Sequence, residues 1–206
     1  MNSKLRLSRL AACTILIAAA SQATAVPIMY LYEGTGSGTL NGTSFFDASF
    51  AITALADTTG VALWPGGGNV VQNTHSSAGI NITGLGAFTI LTPSHTWGAN
   101  RVLDFNYVGL GANLDINWVT VNESPLFDYQ LASPIGPIFE AVPQDVSQFH
   151  DVSTSGGLLH FGAINEITFT AIIVPEPTTF ALEVVAVAGA ARGARLVRRR
   201  LLHRSR

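Results

Sequence analysis

Positive charge is almost missing from the middle of this 206-residue chain. Ten of its eleven Lys and Arg residues lie within the first nine or the last fifteen positions, and Arg101 is the only one between them. Residues 26–173 contain eleven carboxylates, which gives this stretch a formal charge of about −10. Nucleic acids and anionic lipid surfaces are themselves polyanionic and would repel it. The composition therefore excludes nucleic acid as a partner of the central part.

Cysteine is equally scarce, because Cys13 is the only one in the chain. A single cysteine forms no disulfide within the chain and supplies no cysteine pair for zinc. The histidines are scattered and do not form an H-x-x-x-H pair. At 48% hydrophobic residues the chain can instead bury one domain-sized core. We therefore expect residues 26–173 to be stabilised by apolar burial and strand pairing.

Residues 1–25 have the three parts of a signal peptide. Three cations precede an apolar run at residues 10–20, which is too short to span about 30 Å of hydrocarbon. Ala23 and Ala25 then form the A-x-A site that a signal peptidase cuts. We predict cleavage after Ala25. Lipidation at Cys13 is disfavoured, because most of the apolar run follows this cysteine instead of preceding it.

The C-terminal segment, residues 174–206, has a second ordered set of features. It begins with the motif Val174-Pro175-Glu176-Pro177, continues with a short apolar stretch and ends with seven arginines. This order resembles the PEP-CTERM sorting tail. Two prolines within three residues favour an extended, accessible segment, and the arginines would stop translocation. Glu183 and the early Arg192 make this stretch a marginal membrane span.

The resemblance implies a localisation more than an activity. Tails of this kind are thought to be cleaved by an exosortase near the Pro-Glu-Pro motif, after transient anchoring in the inner membrane. It therefore implies delivery to the cell envelope, outer surface or biofilm matrix of a Gram-negative-type bacterium. The domains that precede such tails are generally of unknown function. An ordinary C-terminal hydrophobic anchor is the alternative explanation of the same segment.

Residues 26–173 alternate apolar and polar side chains, which is the period of β-strands with one buried face. Turn-forming stretches interrupt the alternation at residues 34–38 and at Asn41-Gly42, a type I′ hairpin signal. Residues 132–150 show no clear period and predict a long loop. We expect an all-β domain that forms an antiparallel two-layer β-sandwich. Jelly-roll-like connectivity is one variant of this architecture. The predicted strands are 28–33, 37–42, 46–53, 69–72, 79–83, 86–91, 103–107, 114–118, 127–131, 158–162 and 167–171.

Candidate catalytic and cofactor sites in this domain are weak. No serine lies in a G-x-S-x-G elbow, and the strand carboxylates fit a solvated face as well as a catalytic pair. We expect no cofactor; calcium is the alternative, either at Asn113, Asp115 and Asn117 or in the loop at residues 144–151. Trp64 and Trp97 are predicted near loops, where a tryptophan either stacks on a sugar ring or packs at the core edge.

The sequence therefore predicts a non-enzymatic protein of the cell surface or extracellular matrix that is associated with exopolysaccharide. The alternative is a secreted polysaccharide hydrolase that uses a carboxylate pair. The two differ in geometry, because a hydrolase needs two facing carboxylates in a cleft, one of them desolvated. Signal peptidase and an exosortase-like enzyme are the expected processing partners.

Overall fold

The computed structural model describes residues 25–65, 69–102, 105–113, 116–141 and 150–175. Within these ranges the chain forms twelve β-strands and two short 3₁₀ turns, and no α-helix. The turns are Thr58–Gly60 and Ser124–Leu126. The strands are β1 (Pro27–Leu40), β2 (Thr43–Asp57), β3 (Val61–Leu63), β4 (Val70–Thr74), β5 (Ser77–Ile82), β6 (Gly86–Thr89), β7 (His95–Val102), β8 (Phe105–Asn113), β9 (Ile116–Asn122), β10 (Ile135–Glu140), β11 (Val152–Thr154) and β12 (Gly157–Ile173).

The strands form two antiparallel sheets, which confirms the predicted all-β, sandwich-like class. The larger sheet has the order β10-β12-β1-β2-β5-β6, with β11 paired to β12, and the smaller has the order β3-β4-β7-β8-β9. The hairpin partners β1–β2, β3–β4 and β5–β6 lie side by side within one sheet. A jelly roll consists of two Greek keys, and this hairpin connectivity differs from it. The observed strand order is therefore not that of the jelly-roll-like variant.

One continuous core joins the two sheets. Tyr30, Tyr32 and Phe169 come from the larger sheet and Val119 and Val121 from the smaller, and each is fully buried. The Tyr32 and Phe169 rings pack with their centroids 5.0 Å apart. The alternating phase of the strands places these residues on the inner face, because successive side chains point to opposite sides of a sheet. Apolar burial across two layers therefore replaces the missing disulfides as the source of stability.

The larger sheet also curls back on itself. Ile90, just after β6, forms an isolated antiparallel bridge with Thr154 at the end of β11. The Leu91 amide donates to the Ser153 carbonyl at 2.8 Å, and the Ser155 amide to Thr89 at 2.9 Å. Since β11 pairs with β12, these bonds close the ring β6-β11-β12-β1-β2-β5. Closure removes the exposed edge that β6 would otherwise present.

The glycine-rich stretch at residues 34–38 is not the predicted turn. It lies inside β1, so the two predicted strands on either side of it are one strand of 14 residues. A Cβ on Gly36 would lie 2.7 Å from the carbonyl oxygen of Ala163 on β12. The pairing with β12 shifts register at Thr35/Gly36 and again at Ser37/Gly38. Glycine therefore permits the close, bulged approach through which the sheet bends.

Other sequence predictions have mixed outcomes. The Asn41-Gly42 hairpin is confirmed, because it joins β1 to β2 with φ values of 48° and 81°, both positive as a type I′ turn requires. The strand predicted over 127–131 is wrong; this stretch is a loop in which Asp128 and Leu131 have positive φ. The loop predicted over 132–150 is partly wrong, because β10 pairs with β12 there.

The two ends of the described chain lie together. Ile28 near the start of β1 is paired with Ile173 at the end of β12. The Val174 amide donates to the Pro27 carbonyl at 2.9 Å, and the Thr58 amide donates to Val26 at 3.0 Å. The predicted signal helix and the C-terminal hydrophobic helix lie outside the described residues.

Candidate functional site

The outer face of the larger sheet carries an aligned row of side chains. In the strand register, Glu33 on β1 is opposite Thr168 on β12 and Ala51 on β2, and Ala51 is opposite Asn81 on β5. Phe139 on β10 extends the row beyond Thr168. All five side chains point away from the core, because they alternate with the buried residues of their strands. The alternation in the sequence predicted that such side chains face solvent. It did not predict which of them become neighbours, because the register of the five strands depends on tertiary structure.

Two shallow grooves run along this face. The first, of about 380 Å³, is lined by Glu33, Gly34, Thr35, Ser49, Phe50, Ala51, Asn81, Thr83, Phe139, Glu166 and Thr168. The second, of about 460 Å³, is lined by Ala51, Thr53, Gly79, Ile80, Asn81, Ala87, Phe88, Thr89 and Ser155.

Because Ala51 and Asn81 line both grooves, we treat them as one surface and call it the trough. It crosses the strands from β10 to β6. Six neighbouring strands at the usual spacing make it roughly 24 Å long. Small residues such as Ala51 and Gly79 lower its floor, and Phe139, which is 54% exposed, stands at one end. This shape suits an extended ligand better than a compact one.

The polar groups of the trough are hydroxyls, an amide and two carboxylates. Glu33 and Glu166 are exposed and are the only charged residues among its described lining side chains. Thr35 donates its hydroxyl to Glu166 at 3.4 Å. Beyond this end of the trough, Asp47 accepts the side-chain amide of Asn165 at 2.9 Å. The surface can therefore form many hydrogen bonds with a hydroxyl-rich partner.

A separate cluster of polar side chains is buried between the sheets. His75 contacts the Ser94 hydroxyl through Nδ1 at 2.8 Å and the Thr96 hydroxyl through Nε2 at 2.9 Å. The hydroxyls of Tyr32 and Thr96 lie 3.3 Å apart. Burial, with a smaller contribution from His95, lowers the pKa of His75 to about 3. The imidazole is therefore neutral at pH 7.

This cluster is built for structure and not for nucleophilic catalysis. Ser94 is only 4% exposed, so a substrate has no access to its hydroxyl. Both nitrogens of His75 are occupied by hydroxyls, and no carboxylate holds the ring as in a catalytic triad. The Ser–His pair was not visible in the sequence, because nineteen positions separate the two residues.

A second pair of carboxylates lies where β9 and β10 end. Glu140 accepts the backbone amide of Asn122 at 2.9 Å. Burial raises the pKa of the Glu140 carboxyl; the hydrogen bond from Asn122 opposes this shift, and the nearby charge of Glu123 adds to it. Neither glutamate lines the trough.

The tryptophans proposed as ligand contacts have different environments. The loop predicted around Trp97 is wrong: Trp97 lies in β7, is 1% exposed and packs edge-to-face on Tyr107 at 4.8 Å. It presents no ring face to a ligand, so the core-packing alternative holds for this residue. Trp64 follows β3 and is half-buried against the small cluster of Val70, Trp97 and Ala99. Neither tryptophan lines the trough.

The remaining predicted site residues are only partly described. Ala25 and Pro175 are exposed and Val174 is half-buried, while Ala23, Glu176 and Pro177 fall outside the described ranges. Of the calcium candidates, Asn117 is 8% exposed and the side chains of Asn113 and Asp115 are not described. Among the described side chains there is no group of three or more His, Cys, Asp or Glu placed to hold a metal ion. None of the helices in the described ranges is long and apolar enough to cross a membrane.

The fold and the trough together define an all-β protein with a long, polar, aromatic-ended surface groove. No protein-family model, no curated protein and no solved structure matches this chain.

Proposed function

We propose that this chain is an exported, non-enzymatic bacterial protein of the cell surface or extracellular matrix, and that it binds exopolysaccharide along the trough. The trough is the observation that carries the proposal. Its length and open sides suit a polymer, its hydroxyl and amide groups suit sugar hydroxyls, and Phe139 offers a ring on which a sugar can stack.

Export is supported by the position of the two ends. A cut after Ala25 would leave β1, which starts at Pro27, complete. The PEP-CTERM-like motif begins at Val174, directly after β12 ends at Ile173. Both processing segments therefore adjoin the sandwich-like domain at the same end of the larger sheet, and cutting them off would remove none of its strands. This arrangement fits a domain that signal peptidase and an exosortase-like enzyme release from transient inner-membrane anchoring.

A non-enzymatic role is supported by the environment of the trough carboxylates. Glu33 and Glu166 lie on one sheet face, not on opposing walls, and both are exposed. A glycosidase needs two carboxyl groups that flank the scissile bond, one of them desolvated so that it acts as the general acid. Exposure to water supplies no such desolvation.

Binding is tested by comparing two aromatic deletions. Phe139→Ala removes a ring from the end of the trough, and Phe46→Ala removes one that is 80% exposed on β2 and does not line it. We expect Phe139→Ala to weaken binding to soluble polysaccharides in affinity electrophoresis by roughly 1 kcal/mol. Phe46→Ala should have no effect. Equal effects of the two variants, or no retardation by any polysaccharide, would contradict the proposal.

The alternative, a secreted polysaccharide hydrolase, is favoured by one observation, the raised pKa of Glu140 beside Glu123. A carboxyl that holds its proton can act as a general acid. Hydrolysis of any tested polysaccharide, abolished in Glu140→Gln but retained in Glu33→Gln, would replace the binding function with this one.

A further inference from the structure

We propose that the trough is selective for a polysaccharide that carries free amino groups; this inference rests on the binding function proposed above. The two charged residues of the trough are both acidic, and they are neighbours. Thr35 on β1 is opposite Glu166 on β12, and Glu33 lies two positions before Thr35 on the same face. Diagonal neighbours of this kind are roughly 7 Å apart at their Cα atoms. The carboxylates therefore form one compact negative site on the trough.

The charge of the surrounding domain excludes the opposite class of ligand. Residues 26–173 contain eleven carboxylates and one cation, Arg101. A polymer of uronic acids or sulfated sugars would meet net repulsion from this stretch, and the described lining residues of the trough include no cation. The ligand is therefore neutral or positively charged.

The two glutamates favour a positively charged ligand over a neutral one. A hydrogen bond between an ammonium group and a carboxylate is roughly twice as strong as one between neutral groups. Sugar hydroxyls alone could be satisfied by the neutral part of the lining, such as Thr83, Asn81 and Thr168. The glutamates lie on β1 and β12, neighbouring strands that the trough crosses, so a chain lying along it passes both carboxylates in succession.

The experiment compares oligosaccharides that carry positive, neutral or negative charge. The purified protein is titrated at low ionic strength with a glucosamine oligomer, with the N-acetylglucosamine oligomer of equal length and with a galacturonic acid oligomer. Glu33→Gln and Glu166→Gln remove one trough charge each and keep the side-chain shape. Asp151→Asn is the matched control, because it changes net charge equally at an exposed aspartate outside the trough.

We expect the glucosamine oligomer to bind about tenfold more tightly than its acetylated counterpart, and the galacturonic acid oligomer not to bind. Each glutamate variant should lose most of that preference, a decrease of roughly tenfold in affinity for the glucosamine oligomer. Asp151→Asn should keep it. The inference is overturned if Asp151→Asn weakens binding as much as the trough variants, because the attraction is then general to an acidic protein.

The inference and the proposed function fail in different ways. If the acetylated oligomer binds as tightly as the glucosamine oligomer and Phe139→Ala weakens both, polysaccharide binding stands and amino selectivity is overturned. If no oligosaccharide or polysaccharide binds, both the function and the selectivity are overturned.

Discussion

His75 should make this protein less stable in mild acid. Its imidazole is largely buried and neutral, and its pKa is lowered from the ordinary 6.5 to about 3. Between these two values the unfolded chain binds a proton that the folded chain does not, so folding stability falls as the pH falls. The stability that the neutral imidazole contributes is fully present above pH 6.5 and is lost progressively as the pH falls toward 3. From pH 7 to pH 5 the loss from this residue is about 2 kcal/mol.

The test isolates His75 from the carboxylates, which titrate over part of the same range. The free energy of unfolding is measured by urea titration with tryptophan fluorescence, at pH 7 and pH 5, for the native chain and for His75→Gln. Glutamine keeps an amide beside the hydroxyls of Ser94 and Thr96 but does not titrate. At pH 7 the variant should be less stable by about 1–3 kcal/mol, because a buried hydrogen bond is lost.

The informative quantity is the difference in unfolding free energy between the native chain and His75→Gln. It should shrink by about 2 kcal/mol between pH 7 and pH 5, since only the native chain has an imidazole at this position that takes up a proton on unfolding. Ser94→Ala is the control, because it removes the hydroxyl that contacts Nδ1 and keeps the titrating ring. Its difference from the native chain should change little with pH. A pH-independent difference for His75→Gln would refute a buried, neutral imidazole.

Two further predictions concern the glycine-rich strand and export. Gly36→Ala should lower the free energy of unfolding by about 1–3 kcal/mol in a thermal or urea titration, because the new methyl group meets a carbonyl oxygen of the paired strand at 2.7 Å. Gly162→Ala is the control: its nearest contact would be at 3.8 Å, so it should change the free energy of unfolding by less than about 0.5 kcal/mol. Mass spectrometry of material secreted by the producing cell should show a chain that begins at Val26 and lacks Arg206, and an intact Met1 on that material would contradict processing by signal peptidase.

Local sequence was sufficient for features that depend on neighbouring residues. Asn41-Gly42 specified its hairpin because both positions need positive φ, which these two residue types adopt at low cost. Alternation along residues 46–53 and 167–171 identified β2 and part of β12, because one buried face imposes a period of two. The same local logic failed at Gly34–Gly38. Glycine serves turns and close strand approaches alike, and only the presence of β12 distinguishes them.

Two of the strands missed by the sequence, β7 and β10, lack a regular alternation of buried and exposed residues. Trp97 lies in a stretch with a proline and several small polar residues, so it resembled a loop, yet β7 is central in its sheet and buries Thr96 as well. β10 was missed because a proline at position 137 interrupts the alternation at a sheet edge, where proline is tolerated. Tertiary packing overrode the local pattern in both places.

By itself, the sequence determined the all-β class, the acidic character of residues 26–173 and the polar phase of the strands that it identified, because these follow from composition and a period of two. The tertiary structure decided which polar residues become neighbours. Glu33 and Glu166 are far apart in the chain and adjacent in the sheet, since register between β1 and β12 is set by long-range pairing and by two bulges. The trough depends on that register, while the His75 cluster and the closed end of the larger sheet depend on other long-range contacts; no local pattern encodes any of these.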